Sequence, residues 1–258
     1  MEKIKGVLKE CGVSRVGFCT FDGVKESLLD CRAKARIPKD AKTVICCMFP
    51  YKVKENPPKN ISRYAAIKDY HLVCGDILKT ACVRLLALFP ENSFEAFIDN
   101  SPISEVLAFS HTGLGKVGQN GLFIDNEFGS FVFLGEIVTD LDLKISDLSP
   151  VPCLNCGLCK KKCPVGLEKQ KCLSLLSQKK GDLSEEEKNL LKQSGSVFGC
   201  DICSEVCPEN KGKKLTDLTE FVSSLRDGFS PTEDFSLRPY TWRGEKVILR
   251  NYAILEEN

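Results

Sequence analysis

Eight of the fifteen cysteines lie between residues 153 and 207, and their spacing suits iron–sulfur chemistry. Cys153, Cys156, Cys159 and Cys163 read C-x2-C-x2-C-x3-C and are followed by Pro164. Cys172 stands alone, and Cys200, Cys203 and Cys207 read C-x2-C-x3-C before Pro208. A [4Fe–4S] cube needs four converging thiolates; two-residue gaps aim three sulfurs at one cube, while the cysteine before proline crosses to a neighbouring one. The pattern therefore predicts two cubes. Cys153, Cys156, Cys159 and Cys207 would hold the first. Cys163, Cys200, Cys203 and Cys172, the last filling the place the shorter motif leaves open, would hold the second.

Zinc is the main rival, because C-x2-C pairs also build zinc ribbons. Zinc sites use two well-separated pairs, however, and neither the three-cysteine run nor the Cys-Pro endings is expected of them. A disulfide framework is the other reading, but the polar N-terminus MEKIKGVLKECG has no apolar signal region. The other seven cysteines (Cys11, Cys19, Cys31, Cys46, Cys47, Cys74, Cys82) lack ligand spacing and read as small buried hydrophobes in a reducing cytoplasm.

The elements that must position these residues can be traced from periodicity. An apolar content of 43% supports a real core, and a net charge of +1 gives no global pull toward nucleic acid. Lys160, Lys161, Lys162, Lys169 and Lys171 crowd the first motif, either as a solvated face or as a docking patch for an acidic electron donor or RNA phosphates. No apolar run reaches the roughly 20 residues that span a membrane. Helical spacing predicts helices over residues 2–11 and 63–89. Strands are expected at 16–20, at the continuous apolar run 43–49, and at 94–98. Ser101 before Pro102 reads as a helix start. Strands at 122–125 and 130–140 flank Asn126-Glu127-Phe128-Gly129, a hairpin signal. Residues 141–152 form a linker, and Ser184 with Glu187 forms a capping box. The expected organisation is an α+β domain over 1–148, a ferredoxin-like module over 149–212, and a tail over 213–258, with Trp242, Arg250 and Asn251, packing back on the core.

A second chemical stretch runs through Asp99-Asn100-Ser101-Pro102 and on to the glycine-rich Gly113–Gly121. Its G-x-G-x-x-G precedes a strand rather than opening a helix after one, so a dinucleotide fold is not supported. Glycines there would instead let the backbone approach a large flat ligand. Asp99, read from its residues alone, caps the helix expected near Pro102. In an apolar pocket desolvation would raise that carboxyl. His111 reads as a helix-end residue.

On these residues the sequence resembles the epoxyqueuosine reductase family, the cobalamin and iron–sulfur enzymes of queuosine-tRNA maturation, related to the reductive dehalogenases. Ser62-Arg63-Tyr64-Ala65 with Asp69-Tyr70-His71 is similar to that family's S-R-Y-A…D-Y-H segment, Asp99 to Glu105 to its D-x-x-P-x-x-E element, and residues 113–141 to its glycine-rich cobalamin-contacting stretch. The resemblance implies a nitroreductase-like N-terminal domain, with a central, largely antiparallel sheet flanked by helices, beside the double-cluster module. It implies cobalamin contacts from Tyr70, His71, Ser101, Gly115, Lys116, Gly118, Gln119, Asn120 and Gly121, and Asp99 as the acid. Electrons would pass from a flavodoxin- or ferredoxin-type donor through both clusters to cobalt, with epoxyqueuosine in tRNA as substrate. A flavin in the same domain is a further reading, and a non-catalytic electron-transfer or corrinoid-reactivating protein is the alternative function. Asn100, Ser104 and Val165-Gly166-Leu167 depart from the family pattern. The family's larger members carry a C-terminal helical-repeat module that grips tRNA, and no such segment is expected within these 258 residues.

Overall fold

The computed structural model describes residues 1–257, whose contacts form two units: Met1–Pro50 with Tyr70–Leu154, and Tyr51–Asp69 with Asn155 to the C-terminal end. The first unit opens with α1 (Glu2–Glu10), which buries Ile4, Val7 and Leu8 along one face. β1 (Arg15–Thr20) leads through the short α2 (Asp22–Lys25) to β2 (Thr43–Pro50), every residue of which is buried. α3 (Tyr70–Leu88), β3 (Phe94–Ile98) and α4 (Glu105–Ser110) follow. β4 (Gly115–Val117), β5 (Phe123–Asp125) and β6 (Val132–Thr139) complete the unit.

The main sheet has the order β1-β2-β6-β3 and is antiparallel throughout. Side chains alternate between its faces, so register decides what meets what. Glu136 lies opposite Cys46 on one side and Phe97 on the other, on the face that packs against α4 with Phe109 and Ala108. Burying an aromatic such as Phe97 or Phe109 contributes about 1.5–3 kcal/mol. A carboxyl in that layer is a cost that the apolar neighbours must offset.

The second unit contains α5 (Leu158–Lys162), α6 (Leu173–Leu176), α7 (Glu185–Ser194), α8 (Ile202–Glu205), α9 (Thr219–Ser224) and α10 (Glu245–Glu256). α5 packs on α8, while α6 and α10 pack on α7. An aromatic core joins Phe198, Phe229, Phe235 and Tyr240 to Ile61, Ala65 and Ala66. The C-terminal segment is thus part of this unit's interior. Ser184 accepts the Glu187 N–H and Glu187 accepts the Ser184 N–H, completing the expected capping box. Among the described residues no helix is long and apolar enough to cross a membrane.

Three local expectations are corrected. The helix over 63–89 is broken: a 3-10 turn covers Arg63–Ala66, and α3 starts at Tyr70. The cause is competition for donors, since Lys68 N–H goes to Ser224 Oγ and Asp69 N–H to Leu237 O. The helix expected from Ser101 begins at Glu105 instead; Ser101 Oγ accepts the Ile103 N–H and closes a turn. β5 pairs with β4, not β6. The Asn126–Gly129 turn exists, but Asp125 Oδ1 accepts the N–H groups of Glu127 and Phe128 and tightens it. That ties the turn to the second sheet.

Candidate active site

β3 ends by delivering Asp99 into the left-handed region, with φ +58. Aspartate tolerates that conformation better than most side chains, yet it needs support from its surroundings. Support comes from Glu105 Oε1, which accepts the Asp99 N–H at 3.1 Å, and from two tight turns, Asn100 N–H to Ile98 O and Ser101 N–H to Asp99 O. The Asp99 side chain is 61% exposed and lies 3.1 Å from His71 Nε2. Tyr70 stacks between His71 and Phe133, with centroids 4.1 Å away on each side, and hydrogen-bonds Asp99. Tyr70, Asp99, Glu105, Phe123, Val132 and Phe133 are among the residues lining one cavity of about 180 Å³.

The electrostatics reverse a sequence expectation. The His71 hydrogen bond holds Asp99 below the usual carboxylate range, outweighing desolvation, and Tyr70 reinforces it. Glu105 is the carboxyl that moves up, to about 8, because it is desolvated at the start of α4 and faces the charge of Asp99. Behind it Glu136, fully buried, is pushed well above its usual range by burial and by Glu105. Ser101 Oγ donates to Glu136 Oε1 at 3.4 Å, and Glu136 Oε2 has no hydrogen-bond partner.

The glycine-rich segment is partly strand. A Cβ on Gly115 would come within 2.2 Å of Ile124 O, so this glycine lets two strands approach each other rather than a ligand. Lys116 sits in β4; Gly118, Gln119, Asn120 and Gly121 form the turn between β4 and β5, where Gln119 and Gly121 are exposed. Ser101 faces inward, toward Glu136, and is buried. His111 closes α4 as its C-terminal cap residue, with Nδ1 against Leu148 O. Val117 also pairs with the chain leading to the cysteines, donating its N–H to Val151 O and accepting that of Cys153.

Cys153 lies in the first unit; the other cysteines of the two motifs lie in the second, on turn-plus-helix segments that meet through α5 and α8. Gly157, at φ +73, starts α5 in the left-handed region and turns the loop between Cys156 and Cys159. Burial pushes the Cys200 thiol up to about 12, with Asp201, Cys203 and Cys172 raising it through their charges. Cys172 therefore shares a neighbourhood with Cys200 and Cys203. No three of the described His, Cys, Asp and Glu side chains converge closely enough to hold a single ion.

Residues 32–100 match the family model described as epoxyqueuosine reductase QueG, DUF1730, and residues 152–210 match the 4Fe-4S double cluster binding domain. An epoxyqueuosine reductase from Lactococcus garvieae is 30% identical, over 100% of this chain and 87% of its own length. The chain belongs to the epoxyqueuosine reductase family. A family relative from Listeria monocytogenes is 28% identical, covering 98% of this chain and 79% of its own. The solved Streptococcus thermophilus epoxyqueuosine reductase superposes with a TM-score of 0.79 at 27% identity, covering 98% of this chain and 80% of that one. A further epoxyqueuosine reductase, solved with an epoxyqueuosine-modified tRNA-Tyr stem loop, gives 0.80 at 25% identity and the same coverage.

As a member of the epoxyqueuosine reductase family the chain is an iron–sulfur oxidoreductase with a double-cluster module. The thiol-only donor set on paired turn-helix segments fits cubane clusters. Tyr70, His71 and Asp99, chosen from sequence, come together in one place; the turn Gly118–Gly121 is a separate element beside them. Glu105 was visible only as the last letter of a motif, and Glu136 as a polar residue in an apolar strand.

Arg63 was matched as part of a motif without a role. It is buried, donates its backbone N–H to Asp201 Oδ2 at 2.6 Å, and pairs with Glu205. Its guanidinium also bonds the carbonyls of Lys54 and Glu55 at 2.8 and 2.6 Å. Arg63 thus braces α8, the helix carrying Cys203.

Proposed function

We propose that this chain reduces the epoxide of epoxyqueuosine in tRNA to the alkene of queuosine. The reaction adds two electrons and two protons, breaks both C–O bonds, forms a C=C bond and releases water. The carrying observation is the hydrogen-bonded set His71, Asp99 and Glu105 beside an aromatic-walled cavity, which has no task in a simple electron carrier. Asp99, held ionised by His71, takes a proton from that imidazole across the 3.1 Å contact and passes it to the departing oxygen. Tyr70 and Phe133 keep the ring pair in place and exclude water from one side.

Cobalamin is the cofactor we infer for the cavity unit. The Gly118–Gly121 turn and the exposed Leu122 beside the cavity would hold it, since a side chain at Gly121 would meet nothing within 4 Å and the rim is open to a flat ligand. When bound it supplies a low-valent cobalt centre that delivers electrons to the substrate. The cavity, at about 180 Å³, is below the roughly 300–1,000 Å³ usual for small-molecule sites and suits a reacting group, not a whole cofactor.

For the clusters we assign Cys153, Cys156, Cys159 and Cys207 to one cube and Cys163, Cys172, Cys200 and Cys203 to the other. A flavodoxin- or ferredoxin-type donor with an acidic face would dock at the exposed lysines Lys160, Lys161, Lys162, Lys169 and Lys171. A reducing cytoplasm is the matching compartment. The test is anaerobic turnover of an epoxyqueuosine-modified anticodon stem loop by cluster-loaded, cobalamin-supplied protein. Queuosine should form, and Asp99→Asn should lower turnover by about 10²–10⁴-fold with iron content unchanged. No product from fully loaded protein would overturn the reading, and unchanged turnover in Asp99→Asn would remove Asp99 as the acid.

A further inference from the structure

Asp99 presents a difficulty for acid chemistry: it is held ionised, and it stands on a strained single residue at the end of an edge strand. One side chain answers both points. Glu105 occupies the first helical position of α4, six residues on, and its Oε1 receives the Asp99 backbone N–H. Both carboxyls line the same small cavity. We propose that Glu105 is the positioning residue of this site, latching the Asp99 turn from behind through its amide and sharing one proton with Asp99 as a carboxyl pair. The proposal deepens the reading of Asp99 as the acid and rests on it for its catalytic meaning.

The groups that face Glu105 support the sharing. From β3 comes the Asp99 charge, and from α3 come Tyr70 and His71, which stabilise that charge on Asp99. From β6 comes Glu136, itself neutralised by burial, with Cys19 of β1 and Cys46 of β2 beyond it. His71 offsets the charge on Glu105 less than desolvation and the Asp99 charge oppose it, so two negative carboxyls do not coexist cheaply here. When Asp99 gives up a proton, Glu105 keeps one; when Glu105 ionises, the charge beside His71 and Asp99 rises. Exchange within the pair moves one proton from Glu105 to Asp99 and leaves Glu105 as carboxylate, with no change in total charge. Such a pair titrates as a unit.

The latch and the shared proton are separable by substitution. Glu105→Gln keeps an oxygen for the Asp99 amide and removes the titration, whereas Glu105→Ala removes both. The chain has only two histidines, His71 and His111, so ring signals can be followed in the full chain with oxidised clusters and no corrinoid added. The His71 ring shift should show a step near pH 8 in the native protein, as Glu105 ionises, and none in Glu105→Gln. His111, hydrogen-bonded at the far end of α4, should show no such step in either. A step that persists in Glu105→Gln, or its absence from the native protein, overturns the shared proton.

Hydrogen exchange at the Asp99 amide reads the latch. Protection should survive in Glu105→Gln and fall about tenfold in Glu105→Ala, the loss of one hydrogen bond to the amide; unchanged protection in Glu105→Ala overturns it. Should Glu105→Ala fail to fold, Glu105→Leu, of similar size and without an acceptor, reads the same loss. These measurements need no turnover, so the pair can stand while the epoxide reading falls, or the reverse. With turnover present, Glu105→Gln should lose the alkaline limb of the pH profile near pH 8 and recover part of the rate that Glu105→Ala forfeits.

Discussion

Asp99 and Glu105 are the same kind of group six residues apart, and their surroundings drive them in opposite directions. A hydrogen bond from His71 favours the charged form of Asp99, while desolvation and the Asp99 charge favour the neutral form of Glu105. The sign carries through to stability. Glu105 has a folded value near 8, above its unfolded value, so between about pH 4.5 and 8 the folded state binds more protons, and stability falls as pH rises through that window. Asp201, raised to about 6 by burial that outweighs the hydrogen bond from the Arg63 amide, adds a decline of the same sign over the lower part. Asp99 acts the other way, losing its contribution as pH falls through its depressed value. Thermal melts should therefore find Glu105→Gln close to the native protein at pH 4.5 and more stable by several degrees at pH 8. Parallel melting curves across that range would show that Glu105 titrates normally.

At the level of elements, two residues hold the chemistry without taking part in it. Gly115 lets β4 lie against β5, and Gly115→Ala would drive a methyl into Ile124 O; a cost of about 1–3 kcal/mol in thermal unfolding is expected. Because β4 also pins Cys153 through Val117, the same variant should load iron less completely. Arg63 ties the 3-10 turn Arg63–Ala66 to α8. Arg63→Ala leaves Asp201 its backbone N–H but strands Glu205 and the carbonyls of Lys54 and Glu55, and should destabilise the second unit by roughly 1–3 kcal/mol, measurable by urea unfolding. The break at Ile67–Asp69 shows why periodicity misjudged this helix. Apolar spacing continues through it, but the amides of Lys68 and Asp69 are claimed by residues more than 150 positions away.

For the whole molecule, the division into units does not follow sequence blocks. Tyr51–Asp69 sits between two parts of the first unit in sequence and belongs to the second in space. The C-terminal segment supplies Phe229, Phe235 and Tyr240 to that second core, so truncation there should unfold the cysteine-bearing unit rather than trim a tail. The double-cluster reading has its own check. Cys172→Ala should lower bound iron from about eight to about four per chain if one cube is lost. Iron remaining near eight would mean that Cys172 is not a ligand.

By itself the sequence determined the eight thiols, the strands of the main sheet and the place of Asp99 at a strand end, because these depend on spacing along the chain. It could not determine which carboxyl holds a proton, which strand β5 joins, or that Arg63 braces a cysteine helix. Those depend on distances through space, on desolvation beneath α4 and on competition for backbone donors, all of which exist only once the chain has folded. Between the two carboxyls, the surroundings favour the charge on Asp99 and the proton on Glu105.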